Sequence, residues 1–263
     1  MYQTHLKIGE HIFQIESAQE QMIQLIYQDY ASFILNPPPK KVDLQARLEP
    51  YPIGVTTTDF HVVITNRQGM IAYERSDYRI TIDTSFNRAK LLVLDAVALK
   101  HALMNLYSAF IVYQSWGLLL HSSCLEQAGK AYLFAGRSGA GKSTVAKLSQ
   151  PRAVYSDEAT ILKITDGAVQ VLPSPFNSEL AMTGRQPFCP LTAIYLLTQS
   201  SDVKTKPLNR TETLFQLIDK VFYWPHDTSE TKKILHLCQQ LITAVPARQL
   251  YFQKNNRFWE LIS

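Results

Sequence analysis

The chain has 263 residues, 46% of them hydrophobic and 18% charged, with a formal net charge of +4 at pH 7. That length buries one large core or two modest ones, and the composition is that of an ordinary globular protein, not of a low-complexity or repeat chain. The dispersed basic residues point away from nucleic acid, and Cys124, Cys189 and Cys238, far apart with no C-x-x-C, point away from a disulfide framework or a zinc cluster and toward a reducing cytosol.

The opening MYQTHLKIGEHIF lacks a charged segment leading into an apolar core, so no secretory signal is expected. Apolar alternation from His5 to Ile15 predicts a strand pair turning at Gly9-Glu10, and Ser17-Ala18-Gln19-Glu20 predicts a capping box starting a helix. Asn36-Pro37-Pro38-Pro39 reads as a stiff connector. Phe60 to Thr65 and Met70 to Tyr73 flank the hairpin signal Asn66-Arg67-Gln68-Gly69, and Tyr78 to Asp83 alternates as a half-buried strand. Residues 1–90 are therefore expected to form a small α+β unit, suited to substrate recognition or docking, with His5, His11 and His61 as ordinary surface or strand-face residues. Helical spacing from Leu92 to Phe110 predicts a core helix of about twenty residues. The apolar region Leu91 to Leu120 is broken by Asp95, Lys100, His101 and Asn105, so it reads as buried helix and strand, not as a membrane span.

Leu118 to Leu125 and Ala131 to Ala135 form an expected hairpin through Gln127-Ala128-Gly129-Lys130, leading into the densest motif in the chain. Gly136-Arg137-Ser138-Gly139-Ala140-Gly141-Lys142-Ser143 fits G-x-x-x-x-G-K-[ST] and runs from a strand into the helix opening Thr144-Val145-Ala146. Glycines at 136, 139 and 141 let backbone N–H groups, including those of Ser138 and Ala140, turn toward a phosphate. Lys142 is the expected partner of the β and γ phosphates and Ser143 of Mg²⁺, so a nucleoside triphosphate with Mg²⁺ is the expected ligand of the loop. Arg137 is a variable position of the motif.

Asp157-Glu158 ends the short strand Ala153 to Tyr155; on position alone it reads equally as an exposed acidic turn or as metal ligand and base. A hairpin around Asp166-Gly167, an irregular stretch from Pro173 to Pro190 able to cover the site, a buried strand Leu191 to Leu197, helices over Thr211 to Tyr223 and Thr228 to Thr243, a strand Ala247 to Phe252 and a terminal helix Arg257 to Ile262 complete the prediction.

The segment Leu119 to Leu162 resembles the catalytic domain of the HPr kinase/phosphorylase family, and more closely the shorter HPr-kinase-related kinases. The resemblance is carried by His121, Gly129, the loop from Gly136 to Thr144 and Ser156-Asp157-Glu158, with a weaker echo through Pro175-Phe176, Pro190 to Leu197 and Leu208-Asn209-Arg210. It implies an α/β (mixed-sheet α+β), phosphoenolpyruvate-carboxykinase-like fold over residues 91–263, behind the small α+β unit. It also implies ATP-dependent phosphorylation of a serine on a protein or peptide, including peptides encoded beside such kinases, and frequent homo-oligomers. Carried over residue by residue, Asp157 is the base, His121 orients or tunes it, and Glu158 shares Mg²⁺ with Ser143. The signature tied to phosphorolysis is not evident in FNSELAMTGRQPF, so a kinase without the reverse reaction is expected, with Arg185 and Arg210 as candidate cations for phosphate or substrate, or simply surface arginines. The competing expectation is an ATP-sensing binding module with little or no transfer; a small-molecule kinase or carboxykinase-type decarboxylase ranks below both.

Overall fold

The structure is a computed structural model describing residues 1–52, 60–184 and 186–262. Two compact units result, Met1–Tyr113 with Trp224–Thr228, and Gln114–Tyr223 with Ser229–Ser263.

The first unit contains β1 (Tyr2–Ile8), β2 (His11–Ser17), α1 (Glu20–Tyr30), β3 (Leu44–Pro50), β4 (Val63–Arg67), β5 (Met70–Arg75), β6 (Tyr78–Asp83), β7 (Arg88–Val93) and α2 (Ala96–Tyr113). Its strands form one mixed sheet in the order β1-β2-β3-β7-β6-β5-β4, with β3 parallel to both neighbours. Alternate residues Leu44, Ala46 and Leu48 of β3 and Ala89, Leu91 and Val93 of β7 are buried, so one face carries the core. Helix α1 packs on β1, β2 and β3, and α2 packs on β6 and β7.

Several expectations shift here. Leu92 and Val93 end strand β7, and the helix starts only after Asp95, whose Oδ1 accepts from the Ala98 N–H at 2.8 Å as an N-terminal cap. Because α2 packs on this sheet, the unit ends near residue 113, whereas a boundary at 90 was expected from sequence. The capping box at Ser17 does not form: the N-cap is Gln19, and the Ser17 Oγ accepts instead from the Gln19 N–H at 3.1 Å. Helix α2 has the length and apolarity to cross a membrane, but 72% of it is buried within the fold, as befits a core helix.

The second unit contains β8 (Gly117–Gln127), β9 (Lys130–Ala135), α3 (Lys142–Leu148), β10 (Ala153–Ser156), β11 (Ala159–Thr165), β12 (Ala168–Leu172), β13 (Cys189–Gln199), β14 (Lys204–Pro207), α4 (Arg210–Leu217), α5 (Thr228–Ala244), β15 (Ala247–Phe252) and α6 (Trp259–Ile262). Together the two units form a mixed α+β protein with two mixed sheets.

The turn between β8 and β9 places both Ala128 (φ 52°) and Gly129 (φ 75°) in the left-handed region, which closes a tight hairpin. Strand β8 is long enough to change partners: Gly117 to His121 pair with β11, and Ser122 to Gln127 pair with β9. Strand β13 likewise pairs with β12, β9 and β15 along its length. The pairings therefore close a circuit from β8 through β9, β13, β12 and β11 back to β8. Strands β9, β13 and β15 run parallel, so their carboxyl ends open on the same side, where α/β sheets place ligands.

Within this unit Glu230, in the first turn of α5, is buried, and burial, partly offset by Lys233, pushes its carboxyl up to about 7 from the ordinary 4.5. The folded chain holds that proton more tightly than the unfolded chain, so the associated stability is full below 4.5 and is lost as pH rises through about 7. Glu230→Gln should leave the melting temperature unchanged at acid pH and raise it above pH 7, measured by thermal denaturation across pH.

Candidate active site

The glycine-rich loop leaves the carboxyl end of β9 and enters α3. Gly141, the N-cap, has φ 105°, and a Cβ there would stand 2.7 Å from Phe252 Cζ, so both backbone and space require glycine. No side chain caps α3, which leaves its first-turn N–H groups to an anion, whereas the Ala140 N–H, expected to face a phosphate, donates to the Arg137 carbonyl at 3.0 Å and closes the loop on itself. The loop is anchored from both sides. Gln199 Nε2 donates to the Gly139 carbonyl at 2.8 Å, and Ser123 Oγ donates to the Lys142 carbonyl at 3.3 Å. Beneath α3, Val145 and Ala146 pack in a core with Phe134, Phe252, Phe258 and Trp259, and the Trp259 indole donates to Ser149 Oγ at 2.8 Å.

Lys142 is buried, and its ammonium donates to the Gly136 and Arg137 carbonyls at 3.2 and 3.5 Å. Burial, and then the charge of Lys220, lower its pKa. Lys220 is a residue that sequence reasoning missed. It is buried, lies in a short 3-10 turn after α4, and its ammonium donates to Asp219 at 2.5 Å. Its only sequence signal was a lysine inside a predicted helix.

His121 sits where β8 changes partners and stacks edge-on to Phe222, with ring centroids 5.2 Å apart. Burial first, then Lys142, push the imidazole down to about 4, with Glu158 opposing and Lys220 adding to the shift. His121 is thus neutral at pH 7.

Asp157 and Glu158 form the turn between β10 and β11. Ser156 beside them is structural: its Oγ lies 2.6 Å from Thr160 Oγ1, to which Ser122 Oγ donates at 2.7 Å, a buried hydroxyl cluster tying β8, β10 and β11 together. Asp157 is 2% exposed and is no exposed acidic turn. Its Oδ1 accepts from the Ser178 N–H at 2.8 Å; its Oδ2 accepts from the Glu179 and Leu180 N–H groups, both at 2.8 Å, and from Ser178 Oγ at 3.1 Å. The irregular stretch after β12 therefore meets the site at Ser178 to Leu180 and then runs beside β10, where Thr183 and Gly184 donate to the Val154 carbonyl. Glu179 also pairs with Lys147 of α3.

His121, Ser138, Gly139, Gly141, Lys142, Ser143, Thr144, Asp157, Glu158, Ser178, Gln199 and Lys254 line one cleft of about 380 Å³. Gly136 to Ala140, the end of β13 and Lys220 line an adjoining cleft of about 600 Å³. Most of the expected site residues are brought together. Arg210 is not: it opens α4 on the surface and lines neither cleft. Arg185 lies outside the described residues. Among the described residues no group of three or more His, Cys, Asp and Glu is placed to hold a metal ion. Ser143 and Glu158, the pair expected to share a metal, both line the same cleft.

The class that fold and site define is a mixed α+β protein with a strand, glycine-loop and helix cleft. The chain belongs to the ScmC family, whose model, described as SynChlorMet cassette protein ScmC, matches residues 84–263. No curated protein matches it. Among solved structures it is similar to the Hpr(Ser) kinase/phosphatase from Coxiella burnetii, at 12% identity and TM-score 0.32, over 54% of this chain and 90% of that one.

Two outcomes follow from this geometry. Gly141→Ala should destabilise the chain by about 1–3 kcal/mol, read from urea unfolding, because the left-handed backbone and the Phe252 ring both oppose a side chain. For His121 the unfolded chain takes up its proton near 6.5 and the folded chain near 4, so the stability linked to the neutral ring is full above 6.5 and lost as pH falls through 4. His121→Gln should flatten that acid loss in unfolding curves measured across the window.

Proposed function

We propose that this chain is a Mg-ATP-dependent kinase that transfers a phosphoryl group to a serine on a protein or peptide, with a phosphoenolpyruvate-carboxykinase-like, HPr-kinase-like catalytic unit. The observation that carries the reading is one cleft shared by the glycine loop, Lys142, Ser143, Glu158 and a buried carboxylate, Asp157, that already accepts a serine hydroxyl. Bound Mg-ATP supplies the phosphoryl group and the charge-neutralised leaving group. The loop N–H groups and Lys142 hold the phosphates, and Lys220 adds a second positive charge from the adjoining cleft. An anion near both lysines offsets the burial and the Lys220 repulsion that together lower the Lys142 pKa. Ser143 and Glu158 hold the metal. Asp157 orients the acceptor hydroxyl and receives its proton, and neutral His121 offers a hydrogen bond without adding charge. The family description, a cassette protein, makes other products of that cassette the first acceptors to test.

A second reading, an ATP-sensing module with little transfer, is favoured by the way Ser178, Glu179 and Leu180 already occupy the Asp157 oxygens. One experiment separates the two. With γ-labelled ATP, Mg²⁺ and cassette-encoded proteins or peptides, the kinase reading expects label on a serine, abolished by Lys142→Met and reduced on the order of a hundredfold by Asp157→Asn. ATP binding without acceptor-dependent ADP release, or full transfer by Asp157→Asn, would sink it in favour of the sensor.

A further inference from the structure

We propose that the chain phosphorylates itself at Ser178, and that this modification releases the segment that occupies Asp157. The proposal rests on the kinase reading above. Among the described hydroxyls lining the cleft, Ser138, Ser143 and Thr144 belong to the loop and the first turn of α3, whereas Ser178 reaches in from the stretch after β12. Ser178 is exposed, yet its Oγ donates to the buried carboxylate of Asp157 at 3.1 Å. A hydroxyl that spends its hydrogen on a carboxylate keeps its oxygen lone pairs free on the other side, the arrangement a nucleophile needs.

The position is held by more than that hydroxyl. The N–H groups of Ser178, Glu179 and Leu180 all donate to Asp157 at 2.8 Å, and Glu179 pairs with Lys147 on the helix that follows the loop. Tethering an acceptor beside the phosphate loop makes the transfer unimolecular, which favours it strongly over capture of an acceptor from solution. Buried Ser122 and Ser156 are spoken for by Thr160 and offer no comparable acceptor.

The step balances without an oxidant or reductant. Ser178 Oγ forms a bond to the γ-phosphorus, the bond from that phosphorus to the β–γ bridging oxygen breaks, and ADP leaves with the electron pair. The hydroxyl proton passes to Asp157 Oδ2 and on to solvent. The product carries a charge of about −1.5 to −2 directly beside a carboxylate. Repulsion then drives Ser178 to Leu180 off Asp157, whose oxygens become free for an external serine. Self-phosphorylation thus converts a site closed on its own chain into one ready for a substrate.

The test incubates the full chain with Mg²⁺ and γ-labelled ATP and no acceptor, follows intact mass and maps the labelled peptide, with ATP binding measured on the same sample. The expected result is one phosphate on Ser178 at a rate per chain that does not change on dilution. Ser178→Ala should lose the label, Ser178→Thr should regain it as phosphothreonine, and the unfolding midpoint of each variant reports that it is folded. ATP binding, or transfer to an added acceptor, with no label on Ser178 overturns the proposal and leaves the kinase reading standing. Label retained by folded Ser178→Ala overturns Ser178 as the acceptor, and a rate that falls on dilution overturns transfer within the chain. Absence of ATP binding overturns the kinase reading and this proposal with it.

Discussion

A carboxylate taken out of water must be supplied with hydrogen-bond donors or it will not stay charged, and Asp157 is the place where that constraint organises the second unit. Its donors come from Ser178, Glu179 and Leu180, on the far side of a hairpin. The turn between β10 and β11 and the irregular stretch after β12 are therefore one assembly, further joined where Val154 exchanges hydrogen bonds with Thr183. Beneath the turn, the hydroxyls of Ser122, Ser156 and Thr160 satisfy one another, so the strands under the site contain polar groups without stray donors.

The opposite wall of the cleft is positive and equally constrained. Lys142 and Lys220 are both buried, and burial first, then the neighbouring lysine charge, lowers the pKa of Lys142 and of His121. The loop that presents Lys142 is held by aromatic packing from the end of the chain, since Phe252 fills the space a Gly141 side chain would need and Trp259 bonds to Ser149 behind α3. The cleft that holds Lys142 together with the acidic turn, and the adjoining one that holds Lys220, separate charge in the sense phosphate and metal demand.

The first unit obeys a simpler rule. One face of its sheet is apolar and covered by α1 and α2, while the other carries ion pairs such as Lys90 with Glu49 and Arg79 with Glu74. The family match begins at residue 84, so it takes in β7 and α2 of this unit together with the whole of the second.

The amino-acid sequence by itself determined the strand, glycine loop and helix, because that motif needs small residues and one lysine at fixed spacing, and it marked the hairpins at Gly129 and Gly167, whose backbones have positive φ. It did not disclose β3, β7 and β14, where Leu44, Ala46 and Leu48 or Ala89, Leu91 and Val93 alternate too briefly to stand out until a neighbouring strand pairs with them. Only tertiary structure decided which side chains come together. Asp157 with Ser178, Lys142 with Lys220, and His121 with Phe222 are each separated by many residues, and closing the strands into a circuit brings them together. Local spacing records what a segment can become, whereas burial and partnership of its charges depend on segments elsewhere in the chain.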